Sequence, residues 1–209
     1  MDWTFVANCT VTTLAILDPL GGLAMFLALL GDTTHAQRRR GAMLATLTVL
    51  VTLLAAMLLD RPLLGLLGIS MGAFRVAGGA VILLTGLKML AGDLGKDHAA
   101  AGDPEQASRP ELQAIVPLGT PLIAGPGSIS TVILFEHTAA NAVHVGAVAV
   151  VIVFCSGVLL VALLCADRIA GALGRVGMSI AVRLMGLILM AMGVQFMADG
   201  LKDLFSRLG

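Results

Sequence analysis

The sequence predicts an all-α integral membrane protein: six transmembrane helices in two inverted three-helix repeats, with the first and fourth helices discontinuous. Three observations carry that prediction. The chain is 58% apolar and only 12% charged, with bases and acids in balance, whereas a soluble protein carries about 25% charged residues. Long intervals, 41–59, 112–135 and 137–166, hold no Asp, Glu, Lys or Arg. The two halves of the chain also match each other, in order, at an offset of 107 to 108 residues. The same composition excludes other classes. With no net basicity, no Tyr and one Trp there is no footprint for nucleic acid. Cys9, Cys155 and Cys165 lie in apolar stretches without metal-ligand spacing, so no disulfide framework, metal or cofactor is expected.

A charge at the centre of a spanning helix costs about 2.5 to 3.5 kcal/mol on insertion, so charge-free intervals mark spans. Around them fall six segments: 4–30, 41–59, 66–91, 114–135, 141–166 and 178–200. Residues 93–113, with Pro, Gly, five acids and two bases, form a polar linker between a first repeat, 1–92, and a second, 114–209. The N-terminal MDWTF lacks the basic region of a cleaved signal, so the first apolar segment is expected to remain. Arg38, Arg39, Arg40, Lys96, Arg109, Arg168 and Arg175 gather on one face; Arg61, Lys202 and Arg207 lie on the other. The positive-inside rule then puts the first group in the cytoplasm and both termini outside, as in a bacterial inner membrane.

The repeat rests on matches spread along the chain. Thr13 falls on Thr120, Pro19 on Pro126 and Asp60-Arg61 on Asp167-Arg168; one residue further on, Arg75, Gly78, Met89 and Gly92 fall on Arg183, Gly186, Met197 and Gly200. Three spans per copy is an odd number, so the second copy enters the membrane inverted. Inverted repeats are a transporter signature. The Asp-Arg pairs also fit plain anchoring at the interface.

Each half begins with an interrupted segment, ILDPLGGLAMF at 16–26 and VPLGTPLIAGPGSIS at 116–130. Proline lacks an N–H and clashes with the preceding turn, and glycine removes the side-chain cost of leaving helical geometry. Backbone groups freed at that depth need protein, water or a ligand as partners. Matched breaks therefore point to a midplane site, although a single proline would mean only a kink. Candidate substrate-binding residues are Thr13, Asp18, Gly21, Gly22, Thr120, Gly125, Gly127 and Ser128, with Pro19 and Pro126 making the breaks. The glycine N–H groups and the Ser128 hydroxyl are expected to face a substrate carboxylate. Asp18 has no charge within 13 residues on either side, and an intramembrane carboxylate is a functional hypothesis by default. It is the candidate coupling or ammonium-binding group, and equally an N-cap with Pro19 at the first helical position.

Other polar residues have plainer expectations. Arg75 and Arg183, just inside the third and sixth spans, are snorkelling anchors or partners of carboxylates. Gly68, Gly72, Gly78, Gly79 and Gly86 are expected to let helices approach closely. The four histidines fall in or beside loops and are expected to be solvated.

DPLGG with Phe26-Leu27, GISMGAFRVAGGAVILLTGLKML at 68–90, PLGTPLIAGPGSISTVI at 117–133 and RLMGLILMAMGVQFMADGL at 183–201 together resemble the MarC family, over nearly the whole chain. That resemblance implies an inverted-repeat transporter of small neutral amino acids, similar to glycine or alanine. The first break departs from the family pattern: Gly22 stands where Asn is usual and Ala24 where a second Pro is usual.

A secondary transporter of a small zwitterionic substrate explains the odd-numbered repeat, the twin breaks and the lone carboxylate. An intramembrane enzyme would need a nucleophile with its base or two facing carboxylates, and the spans offer neither. A non-transporting scaffold or stress-related membrane protein tolerates the hydropathy but gives no reason for matched breaks. An exporter of another small metabolite is the remaining alternative.

Overall fold

The computed structural model describes residues 3–30, 33–92, 125–139 and 142–206. The expected 93–113 linker, the first part of the fourth segment and Thr120 lie outside the described residues. Among those described, the chain is helical: α1 Trp3–Leu17, α2 Pro19–Leu30, α3 His35–Leu67, α4 Met71–Ala91, α5 Pro126–Thr138, α6 Ala142–Leu164 and α7 Ala166–Phe205. Among the described residues, five stretches are long and apolar enough to cross a membrane: Trp3–Leu27, His35–Leu58, Met71–Ala91, Val143–Leu164 and Val176–Phe205. Large apolar side chains such as Val11, Leu58, Leu84, Val150, Leu184 and Val194 are more than half exposed. A soluble protein would bury that surface; a lipid-facing one need not.

The first segment is discontinuous as expected, Asp18 separating α1 from α2. One expected boundary shifts. The second segment runs on past Asp60-Arg61 to Leu67, since charged residues do not in themselves end a helix. The turn into α4 is made by Gly68 at φ 65°. Nothing lies within 4 Å of a side chain added there, so Gly68 serves backbone geometry rather than the expected close packing. Ser70 then caps α4 by accepting from the Ala73 N–H at 3.2 Å, and Gly92, at φ 76°, ends the helix.

The tightest packing joins α4 to α7. A Cβ added to Gly72, Gly79 or Gly86 would lie 3.0, 2.6 and 2.6 Å from the carbonyl oxygens of Gly200, Gly193 and Gly186 respectively. The register rises along one helix while it falls along the other, so the pair is antiparallel. Both triplets recur every seven residues, the spacing that keeps one face on a partner as two helices coil left-handedly. In lipid, where apolar burial gives no drive between helices, backbone-to-backbone van der Waals contact is what holds such a pair.

Around this seam the remaining helices form two cores. The larger takes Cys9, Phe26, Leu53, Val132, Ile152, Leu159 and their neighbours from α1, α2, α3, α5 and α6. The smaller consists of Ile16, Ile82, Met89 and Leu189, where the end of α1 meets α4 and α7. Hydroxyls inside the spans mostly bond to the carbonyl one turn back, as Thr10 does to Val6, Thr48 to Leu44 and Thr85 to Val81 at 2.8 to 2.9 Å.

Candidate functional site

Pro19 supplies no N–H to the carbonyl of Ala15, so the helical ladder of α1 stops there. Asp18 sits at the junction with φ 44°, one of the described residues outside glycine with a positive φ. Backbone held in that region costs on the order of 1–3 kcal/mol and persists where the surroundings over-determine it. Here they do. The Asp18 N–H donates to the Leu14 carbonyl at 3.2 Å, its carbonyl accepts from the Gly22 N–H at 2.9 Å, and Oδ1 accepts from the Gly21 N–H at 3.1 Å. Asp18 is therefore the N-cap of α2, with Pro19 in the first helical position, and its side chain is buried at 7% exposure inside the first spanning stretch.

Gly21 is required by this cap. A side chain there would occupy the place of Asp18 Oδ2 and come within 3.1 Å of Met89 Cε on α4. One expectation changes as a result. The N–H groups of Gly21 and Gly22 are taken by Asp18 itself rather than presented to a substrate carboxylate.

The second break is built differently. Gly125 caps α5 in an extended conformation with no side-chain bond, Pro126 takes the first position, and the Ile129 N–H closes onto the Gly125 carbonyl at 3.0 Å. A helix opened this way leaves its first N–H groups without intrahelical acceptors, and this one opens Pro126-Gly127-Ser128. Gly127 packs hard against α4: a Cβ there would lie 2.5 Å from Ile82 Cγ1 and 3.7 Å from Ile16 Cγ2. Ile16 is two residues before Asp18, so the two breaks adjoin. Ser128, Ser130 and Thr131 are buried, and Thr131 bonds back to the Gly127 carbonyl at 2.9 Å.

Thr13 is 2% exposed, and its hydroxyl has no hydrogen-bond partner among the described residues. The same holds for Thr46 on α3 and Ser156 on α6, neither of which the sequence singled out. Glu136, near the end of α5, is also buried. Its signal was its position as the one charge dividing the intervals 112–135 and 137–166. His144 departs from expectation: it is half-buried, with its ring 5.0 Å from that of Phe5 in an edge-on contact. Arg75 pairs with Asp203 at 2.6 Å, the carboxylate contact rather than free snorkelling. Arg38 reaches Asp167 at the same distance, which brings together two loops assigned to one face.

Several apolar helices with lipid-type surfaces, enclosing buried polar breaks, define an integral multi-pass membrane protein. The chain belongs to the MarC family of integral membrane proteins, whose model matches residues 3–205. Similar proteins include the UPF0056 membrane protein YhcE of Escherichia coli (strain K12), 30% identical, the match covering 93% of this chain and 90% of that one. UPF0056 membrane proteins of Pyrococcus abyssi and Methanocaldococcus jannaschii are 34% and 32% identical, covering 91% and 97% of this chain and 91% and 98% of theirs. No solved structure matches the chain.

Proposed function

We propose that this protein is a secondary transporter of small neutral amino acids, of glycine or alanine size, in a bacterial inner membrane with both termini outside. The observation that carries this is the meeting of two helix breaks: the Asp18-capped start of α2 lies beside the start of α5, with Gly127 against Ile16. A zwitterion suits that pairing. Its ammonium would face the Asp18 carboxylate, and its carboxylate the positive N-terminal end of α5 at Gly125, Gly127 and Ser128. Thr13, and Thr120 from outside the described residues, would add hydroxyls. Asp18 would also carry the coupling proton or neighbour the coupling ion. Ile82 and Ile16 crowd Gly127, which favours a small side chain.

The architecture proposed with it is six spans in two inverted repeats. Support comes from the contacts: α4 runs antiparallel to α7, as a span and its inverted copy would. The packing of α3 on α5 is mirrored by α6 on α1 and α2, and that of α4 on α5 by α7 on α2. The test is counterflow in proteoliposomes with labelled glycine, alanine and larger amino acids, with and without a proton gradient. Saturable counterflow confined to small neutral substrates supports the proposal. Its absence for every substrate would favour the scaffold.

A further inference from the structure

Two contacts tie the halves of the chain together at opposite ends of the spans that hold the breaks. At one end Phe5 of α1 meets Phe135 of α5, with ring centroids 5.9 Å apart, and His144 of α6 at 5.0 Å, both edge-on. At the other, Arg38 at the start of α3 holds Asp167 at the start of α7. Phe5 lies in the first turn of the Trp3–Leu27 span and Arg38 beyond its end; His144 and Asp167 lie near the start of α6 and beyond its end. Each contact therefore sits over one end of the same pair of spans, with Asp18 between them. Each also joins a residue of 1–92 to residues of 114–209.

We propose that these are the two gates of the transport path: an aromatic gate, Phe5–Phe135–His144, on the face of the N-terminus, and a charged gate, Arg38–Asp167, on the opposite face. This deepens the transporter reading and rests on it. Three features suit the role. The contacts are breakable, since edge-on ring contacts are individually weak, and the ion pair is partly wet, with Asp167 55% exposed. The charged gate stands on a segment set off from the rest of its helix. Gly174, at φ 64° and ψ 178°, interrupts α7 behind Ala166–Leu173, and a side chain there would meet nothing within 4 Å. The glycine thus serves as a backbone joint and has no packing role. Finally, a second ion pair between the halves among the described residues, Arg75–Asp203, lies along the α4–α7 seam, where glycine contacts already fix both backbones.

The experiment reads access to the breaks without needing transport. In a variant with Cys9, Cys155 and Cys165 replaced by alanine, Ser128→Cys is the reporter, and a membrane-impermeant maleimide is applied from each side of oriented vesicles. With both gates closed, the reporter labels slowly from either side. Asp167→Asn should speed labelling about fivefold from the Arg38 face alone, equivalent to about 1 kcal/mol at roughly 1.4 kcal/mol per tenfold. Phe5→Ala should speed it from the opposite face alone. The exchanged pair Arg38→Asp with Asp167→Arg should restore slow labelling, which separates loss of the gate from loss of the fold. Unchanged rates, acceleration from both faces by one variant, or fast labelling of the parent would overturn the gates. One-sided acceleration without any counterflow would leave the gates standing and remove the transporter reading; counterflow with unmoved labelling would do the reverse.

Discussion

Gly127→Ala is the sharpest test of how the second break is held. The added Cβ would stand 2.5 Å from Ile82 Cγ1, whereas carbon atoms rest about 3.5–4.0 Å apart. Something must therefore move by about 1 Å. Ile82 cannot yield cheaply: it is 2% exposed, and its helix is fixed to α7 through Gly79 and Gly86 on either side of it. The start of α5 is the part that shifts. Overpacking of this kind costs about 1–3 kcal/mol of stability, and misplacing a positioned group by about 1 Å costs on the order of a hundredfold in rate. Counterflow of labelled glycine should fall by about that factor, while thermal unfolding in detergent drops by only a few degrees. Combining Gly127→Ala with Ile82→Ala restores the space and should recover most of the rate. Parental transport by Gly127→Ala, or a double variant no better than the single one, would refute the argument.

Asp18→Asn keeps an oxygen to accept the Gly21 N–H but removes the charge, so accumulation driven by a proton gradient should be lost; unchanged accumulation from roughly pH 5 to 8 would reduce Asp18 to a cap. Gly79→Leu forces a side chain onto the Gly193 carbonyl and should lower the detergent melting temperature by several degrees. Gly157→Ala, which meets nothing within 4 Å on α6, should leave it level or slightly higher. Gly68→Ala should cost about 1 kcal/mol with no steric neighbour at all, because φ 65° suits glycine far better than alanine. An unaltered melting temperature in that variant would remove the backbone explanation of the turn.

The breaks were legible because their chemistry is local. A proline without its N–H and a carboxylate with no charge nearby say the same thing in any fold. The ends of helices were less so: α3 passes Asp60-Arg61 because the pattern of charges reports the membrane boundary, while hydrogen bonding sets the helix boundary. The seam glycines show their seven-residue spacing openly, at 72, 79 and 86 and again at 186, 193 and 200. That the two sets face each other depends on a register between distant helices that neither spacing fixes. Phe5 and His144 carried no signal, since each is ordinary beside a loop and they meet only when α1, α5 and α6 are assembled. Gly21 and Gly22 misled for a related reason: whether a glycine N–H is open depends on where a neighbouring carboxylate turns.

The seam explains why two breaks from distant parts of the chain can be held in mutual register. Ile82 backs Gly127 and Met89 backs Gly21, both from α4 and seven residues apart. They lie three residues on from Gly79 and Gly86, so one stripe of α4 is fixed to α7 while the adjacent stripe supports both breaks. A backbone-to-backbone contact has no rotamers to change, which makes α4 and the part of α7 beyond Gly174 the least adjustable of the described helices. On the transporter reading, alternation of access would then come from α1, α2, α3, α5, α6 and the start of α7 moving over that platform. On the same reading, the glycines of the seam would act on transport indirectly, by keeping Ile82 and Met89 stationary while the helices that carry Asp18 and Ser128 move across them.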